Sequence, residues 1–90
     1  MKNLIKDNYQ SIVDRGLITP STTLTDFIDK IYEEVAELEE VSESIRDFDK
    51  LKEELSDVIL TCLNMAFHYE IDIETEMKKK IDKNFERAKN

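Results

Sequence analysis

The chain of 90 residues contains one glycine and one proline, and the two fall close together, at Gly16 and Pro20. Residues that interrupt helices are thus confined to Arg15-Gly16-Leu17-Ile18-Thr19-Pro20-Ser21-Thr22-Thr23, the first clear break in the chain. Before it, Leu4, Ile5, Tyr9, Ile12 and Val13 recur at spacings of three and four, which predicts an amphipathic helix over about residues 2–15. After it, Thr23 is placed to cap a second helix over about 24–44, with Leu24, Phe27, Ile28, Ile31, Val35 and Leu38 on one face. Asp47 or Asp49 caps a third helix over about 49–70, whose stripe is Leu51, Leu55, Val58, Ile59, Cys62, Ala66 and Tyr69. Asp72 caps a fourth over about 73–88, carrying Ile73, Met77, Ile81 and Ala88. No strand alternation, internal repeat or low-complexity tract competes with this pattern. The expected fold is all-α, an antiparallel bundle of about four helices forming a single domain over residues 1–90.

A compact monomer of this size buries only about 60–65% of the surface its unfolded chain exposes. The third helix sharpens the point. Between Val58 and Phe67 its polar positions are Thr61 and Asn64 alone, so Leu60, Leu63 and Phe67 form an apolar face beyond the one a monomer needs. Another copy of the chain is the simplest cover for that face, which predicts completion of the bundle in a homodimer or homotetramer.

Charge narrows the partners. With 21 acidic against 13 basic residues and a formal net charge of -8, the chain is expected to repel nucleic acid and anionic membrane surfaces. The start, Met1-Lys2-Asn3-Leu4-Ile5-Lys6-Asp7, turns charged too soon for a signal peptide, and no apolar run approaches the roughly 20 residues of a membrane span. A cytoplasmic location follows as the expectation. The single cysteine, Cys62, has apolar neighbours and reads as an ordinary buried thiol. The one histidine, His68, reads as a surface or interface residue at a helix end.

Two carboxylate pairs stand out against this background: Glu34 with Glu37 in Glu33-Glu34-Val35-Ala36-Glu37-Leu38, and Glu54 with Asp57 in Glu53-Glu54-Leu55-Ser56-Asp57. At about 100° per residue, Glu34 and Glu54 border the apolar stripes of their helices, and Glu37 and Asp57 lie about 60° further round. Glu33, Glu40 and Glu53 face water. A spacing of three residues puts two carboxylates on adjacent turns of one face, within reach of a shared ion. Left unneutralised, acids drawn together at a core edge repel and raise one another's pKa. A divalent cation removes that cost. Ligands that are all oxygen suit Mg2+, with Mn2+ as a possible substitute, rather than zinc. The competing reading, a solvated acidic face, fits either pair alone better than it fits both.

The fourth helix offers the opposite charge. Lys80, Asn84 and Arg87 stand one turn apart, and Asn84 falls within the apolar stripe. They read either as donors for phosphate, sugar or base, or as an interface asparagine flanked by outward-reaching cations. Lys30, one turn before Glu34, reads either as a phosphate contact or as an intrahelical partner of Glu34. No glycine-rich phosphate loop and no nucleophile-histidine arrangement can be assembled, and one histidine does not complete a di-iron carboxylate site.

Taken together, the run from Lys30 to Leu38, the segment Glu53-Glu54-Leu55-Ser56-Asp57-Val58 and the late Lys80-Ile81-Asp82-Lys83-Asn84-Phe85-Glu86-Arg87 resemble the MazG-like all-α nucleoside triphosphate pyrophosphohydrolases. The resemblance covers roughly residues 22 to 88. It implies a helical oligomer holding Mg2+ through Glu34, Glu37, Glu54 and Asp57, and cleavage of a nucleoside triphosphate between its α and β phosphates. Monophosphate and pyrophosphate would be the products. It also matches Lys80 and Asn84, and more loosely Arg87, to substrate contacts. Spacing and resemblance together make Glu37 the proton acceptor for the attacking water. The alternative from a different class is a non-catalytic helical oligomer that binds a nucleotide or a protein.

Overall fold

The computed structural model describes residues 1–43 and 47–89, and within them every regular element is helical. Helix α1 spans Lys2–Asp14, α2 Leu24–Ser42, α3 Phe48–His68 and α4 Ile73–Ala88. Ser44, where the sequence pattern ends the second helix, lies outside the described residues.

Local chemistry explains the boundaries. Gly16, at φ 73°, closes α1: its N–H donates to the Val13 carbonyl at 2.8 Å and the Leu17 N–H to Ile12 at 3.2 Å. Such a left-handed closure is open to glycine without steric cost. Thr23 and Asp26 cap α2 reciprocally, the Asp26 N–H donating to Thr23 Oγ1 at 3.2 Å and the Thr23 N–H to Asp26 Oδ2 at 2.9 Å. Asp47, rather than Asp49, caps α3 by accepting the Lys50 N–H at 2.9 Å. Asp72 caps α4 through the Thr75 N–H and hydroxyl.

Helix α3 is the centre, with α2 and α1 packed against it. Phe27 near the start of α2 stacks on His68 at the end of α3, while Glu34 further along α2 meets Glu54 near the α3 start, so the two run antiparallel. Asn8 of α1 donates to Asn64 Oδ1 at 2.8 Å, and Tyr9 hydrogen-bonds His68 Nδ1 at 2.8 Å. His68 therefore sits inside an aromatic cluster with Tyr9, Phe27 and Tyr69.

The rotation of α3 corrects the sequence reading. Leu55, Ile59 and Cys62 of the expected stripe face outward, whereas Glu54, Leu63 and Asn64 are buried alongside Ala66, which the stripe did include. Cys62 is consequently an exposed thiol, not a buried one. A helix apolar on two sides gives no sequence cue to which side the monomer uses; here α1 and α2 take the side that carries Glu54 and Asn64.

Helix α4 buries none of its residues. Met77, Ile81 and Phe85 stand exposed along it. The radius of gyration, 15.3 Å, accordingly exceeds the roughly 12 Å of a compact chain of this length.

Candidate metal centre

Pairing α2 with α3 draws acids inward with the apolar side chains around them. Glu34 is 8% exposed and Glu54 7%. With Asp57 they offer three carboxylate oxygens that all lie within 4.8 Å of one another. Each buried glutamate has one oxygen engaged and one orphaned. Glu34 Oε1 is 3.3 Å from Lys30 Nζ, and Glu54 Oε1 is 3.2 Å from Lys50 Nζ. Their Oε2 atoms are buried with no hydrogen-bond partner.

Burying such a group without a partner is costly, and most buried polar atoms in folded proteins avoid it. Two orphaned oxygens beside a third carboxylate are the arrangement a hard cation satisfies, because it accepts oxygen donors and cancels their mutual repulsion. The donor set therefore fits Mg2+ or Mn2+, which Glu34, Glu54 and Asp57 would hold.

The charges leave their mark on neighbouring groups. Asp57 has its carboxyl raised above the ordinary range, by burial first and then by the charges of Glu34 and Glu54. Glu37 is raised as well, chiefly by Glu34, with burial and Glu54 adding to it. Glu37 is exposed on α2, one turn beyond Glu34, and is not among the three clustered acids. Glu33, Glu40 and Glu53 are exposed.

Beside the acids lies a cleft of about 420 Å³ between α1, the Gly16–Thr23 loop, α2 and α3. Lys30, Glu34 and Asp57 form its charged end, and Asn8, Arg15, Ile18, Phe27 and Asn64 continue it. A charged mouth leading to a partly apolar pocket can seat an anionic head and a less polar body. Lys80, Asn84 and Arg87 are exposed on α4 and do not line this cleft.

Two features escaped the sequence reading. Lys50 stands to Glu54 as Lys30 stands to Glu34, and that shared spacing was the available signal. Asn64 was visible only as a polar break in an apolar run; its burial and its bond to Asn8 depend on where α1 docks.

Comparison with known proteins bears on the same residues. Residues 22–90 match the family model of the MazG nucleotide pyrophosphohydrolase domain. Over 67 residues, 73% of the chain, the sequence is 37% identical to a nucleoside triphosphate pyrophosphohydrolase of Escherichia coli (strain K12), and equally to that of Escherichia coli O157:H7. The aligned part is 25% of each relative, so the chain spans about a quarter of the length of these curated proteins. No solved structure matches significantly.

Proposed function

The chain belongs to the MazG nucleotide pyrophosphohydrolase domain family, and from that premise we propose that it is a Mg2+-dependent nucleoside triphosphate pyrophosphohydrolase. It cleaves between the α and β phosphates and releases a nucleoside monophosphate and pyrophosphate, a chemistry suited to removing surplus or aberrant nucleotides. The observation that carries this reading is the pair of orphaned, buried oxygens of Glu34 and Glu54 beside Asp57. A family domain whose helices bury unpartnered acids beside an open cleft is built for a cation and the anion the cation brings.

The residues divide the work. Glu34, Glu54 and Asp57 would hold Mg2+, with Glu37 as a further ligand from the adjacent turn. A cation held there would supply charge neutralisation for the triphosphate and a water acidified for in-line attack. Glu37, one turn beyond Glu34, would accept the proton of that water as the general base. Lys30 lines the cleft and meets phosphate oxygens.

Self-association supplies the rest. The chain exposes 7157 Å², against about 5,500 Å² for a compact monomer of 10.6 kDa. That excess matches what a substantial interface covers. Leu55 and Ile59 on α3 and Met77, Ile81 and Phe85 on α4 are the exposed apolar side chains such an interface would bury. In a homodimer or homotetramer, α4 of one copy brings Lys80, Asn84 and Arg87 toward the acids of another. The whole chain acts as one domain in the cytoplasm. Among its described residues, no helix is long and apolar enough to cross a membrane.

The test is incubation with ribo-, deoxy- and oxidised nucleoside triphosphates, with and without Mg2+, resolving pyrophosphate from orthophosphate. Pyrophosphate release that stops in EDTA is expected. Nucleotide binding without release from any of them would replace the hydrolase with a non-catalytic binding oligomer.

A further inference from the structure

The two lysines beside the buried acids occupy equivalent places on different helices. Each stands one turn before its glutamate, Lys30 before Glu34 and Lys50 before Glu54, and each takes Oε1 while Oε2 is left unpartnered. Helix propensity does not account for this layout, since a lysine preceding a glutamate by four residues is the less favourable order on a helix. Nor are these ordinary surface pairs. The lysine side chains are 49% and 46% exposed, but the glutamate side chains they reach are 10% and 9% exposed, so solvent screens only one partner of each pair.

The two then differ in what else they face. Lys30 lines the cleft and Lys50 does not.

We propose that Lys30 and Lys50 are internal counter-ions that keep the acid cluster folded before a divalent cation arrives, and that Lys30 alone then turns to a phosphate oxygen of the bound nucleotide. The physical requirement is simple. Packing α2 on α3 brings Glu34, Glu54 and Asp57 within reach of one another, and a positive charge on each glutamate limits the repulsion until a cation takes over that task. When a cation occupies the cluster, the same positive charges oppose it, and the one facing the cleft has an anion available in exchange. The phosphate half of this proposal rests on the nucleotide reading above; the counter-ion half does not.

Lys30→Met and Lys50→Met separate the two roles, with Lys30→Arg and Lys50→Arg as charge-preserving controls. In EDTA, both methionine variants are expected to melt several degrees below the unaltered chain, and both arginine variants close to it. Mn2+ binding, followed by electron paramagnetic resonance, should tighten roughly 3- to 10-fold in each methionine variant, because a like charge has been removed from beside the ion. Binding of a non-hydrolysable α,β-imido nucleoside triphosphate at saturating Mn2+ should weaken at least about tenfold more in Lys30→Met than in Lys50→Met. Unchanged melting and unchanged Mn2+ affinity in both methionine variants would overturn the counter-ion role. Equal losses of analogue binding would overturn the division between the lysines. If the unaltered chain binds Mn2+ but no nucleotide analogue, the phosphate half and the hydrolase reading fail together while the counter-ion result stands.

Discussion

Helices α2 and α4 are both amphipathic, both begin on a side-chain cap, and meet opposite fates in the single chain. Helix α2 lies against α3 and buries Phe27 and Glu34. Helix α4 buries nothing and leaves Met77, Ile81 and Phe85 in water. An apolar stripe states that a helix needs a partner without saying which one. Where the partner lies within the chain, the stripe carries its neighbouring acids inward and makes a site. Where it does not, the candidate contacts Lys80, Asn84 and Arg87 stay on the surface of the single chain, where only the proposed oligomer would bring them into use.

Substitutions can break that contrast, beginning at the site made by the buried pair. Glu54→Gln is expected to lower Mg2+-dependent pyrophosphate release about 10²- to 10³-fold, as loss of a preorganised electrostatic group does. Glu37→Gln should lower it by about 10²- to 10⁴-fold with helical content intact by circular dichroism. Normal turnover by the latter would remove Glu37 from the mechanism. On the other side of the contrast, Ile81→Asp touches no core of the single chain. Sedimentation should show oligomer converted to monomer, with turnover falling on the order of tenfold or more through loss of the α4 contacts. An Ile81→Asp oligomer of normal activity would mean that α4 finds its partner elsewhere.

Stability is expected to follow the same division. Phe27, 4% exposed between α2 and the end of α3, should cost about 3–5 kcal/mol when cut to alanine, read by urea denaturation. A loss well under 1 kcal/mol would mean that the α2–α3 pair is not where folding energy resides.

The pH dependence is a smaller and more specific effect. Asp57, raised chiefly by burial, and Glu37, raised chiefly by Glu34, bind protons more tightly folded than unfolded. Their protonated contribution is complete below the unfolded carboxylate range, about pH 4, and is lost as pH rises through the raised values. Asp26 and Asp72, whose carboxyls are lowered chiefly by hydrogen bonds from Thr23 and Thr75, act oppositely. Their contribution is present above the unfolded range and is lost only as pH falls through the lowered values. Without a divalent cation, the chain should therefore melt somewhat higher at about pH 5 than at pH 7, with added Mg2+ stabilising it more at pH 7. Thermal scans in EDTA and in Mg2+ at both pH values check this; a cation effect independent of pH would place the ion away from these acids.

Much of this molecule was readable in its residues. Gly16 closes α1, and Thr23, Asp47 and Asp72 sit where their side chains can take up orphan N–H groups, because capping is decided within a few residues. The rotation of α3 was not readable. The sequence reading put Leu55, Ile59 and Cys62 in the core, and the docking of α1 and α2 that buries Glu54, Leu63 and Asn64 instead leaves no local signal in a helix apolar on two faces. Glu34 and Glu54 were legible as acids bordering a stripe, but their burial to below a tenth depends on two helices closing over them. The Tyr9–His68 bond and the Asn8–Asn64 bond join residues far apart in the chain, and no local pattern encodes either.

The central claim is that α2 and α3 together make a divalent-cation site from their buried acids. Mn2+ titration followed by electron paramagnetic resonance tests it on the unaltered chain and on the double variant Glu34→Gln with Glu54→Gln. Saturable binding by the former is expected. The double variant should not bind, yet in EDTA it should melt at the same or a higher temperature, since two buried charges have been removed. Equal Mn2+ binding by both proteins would contradict the account.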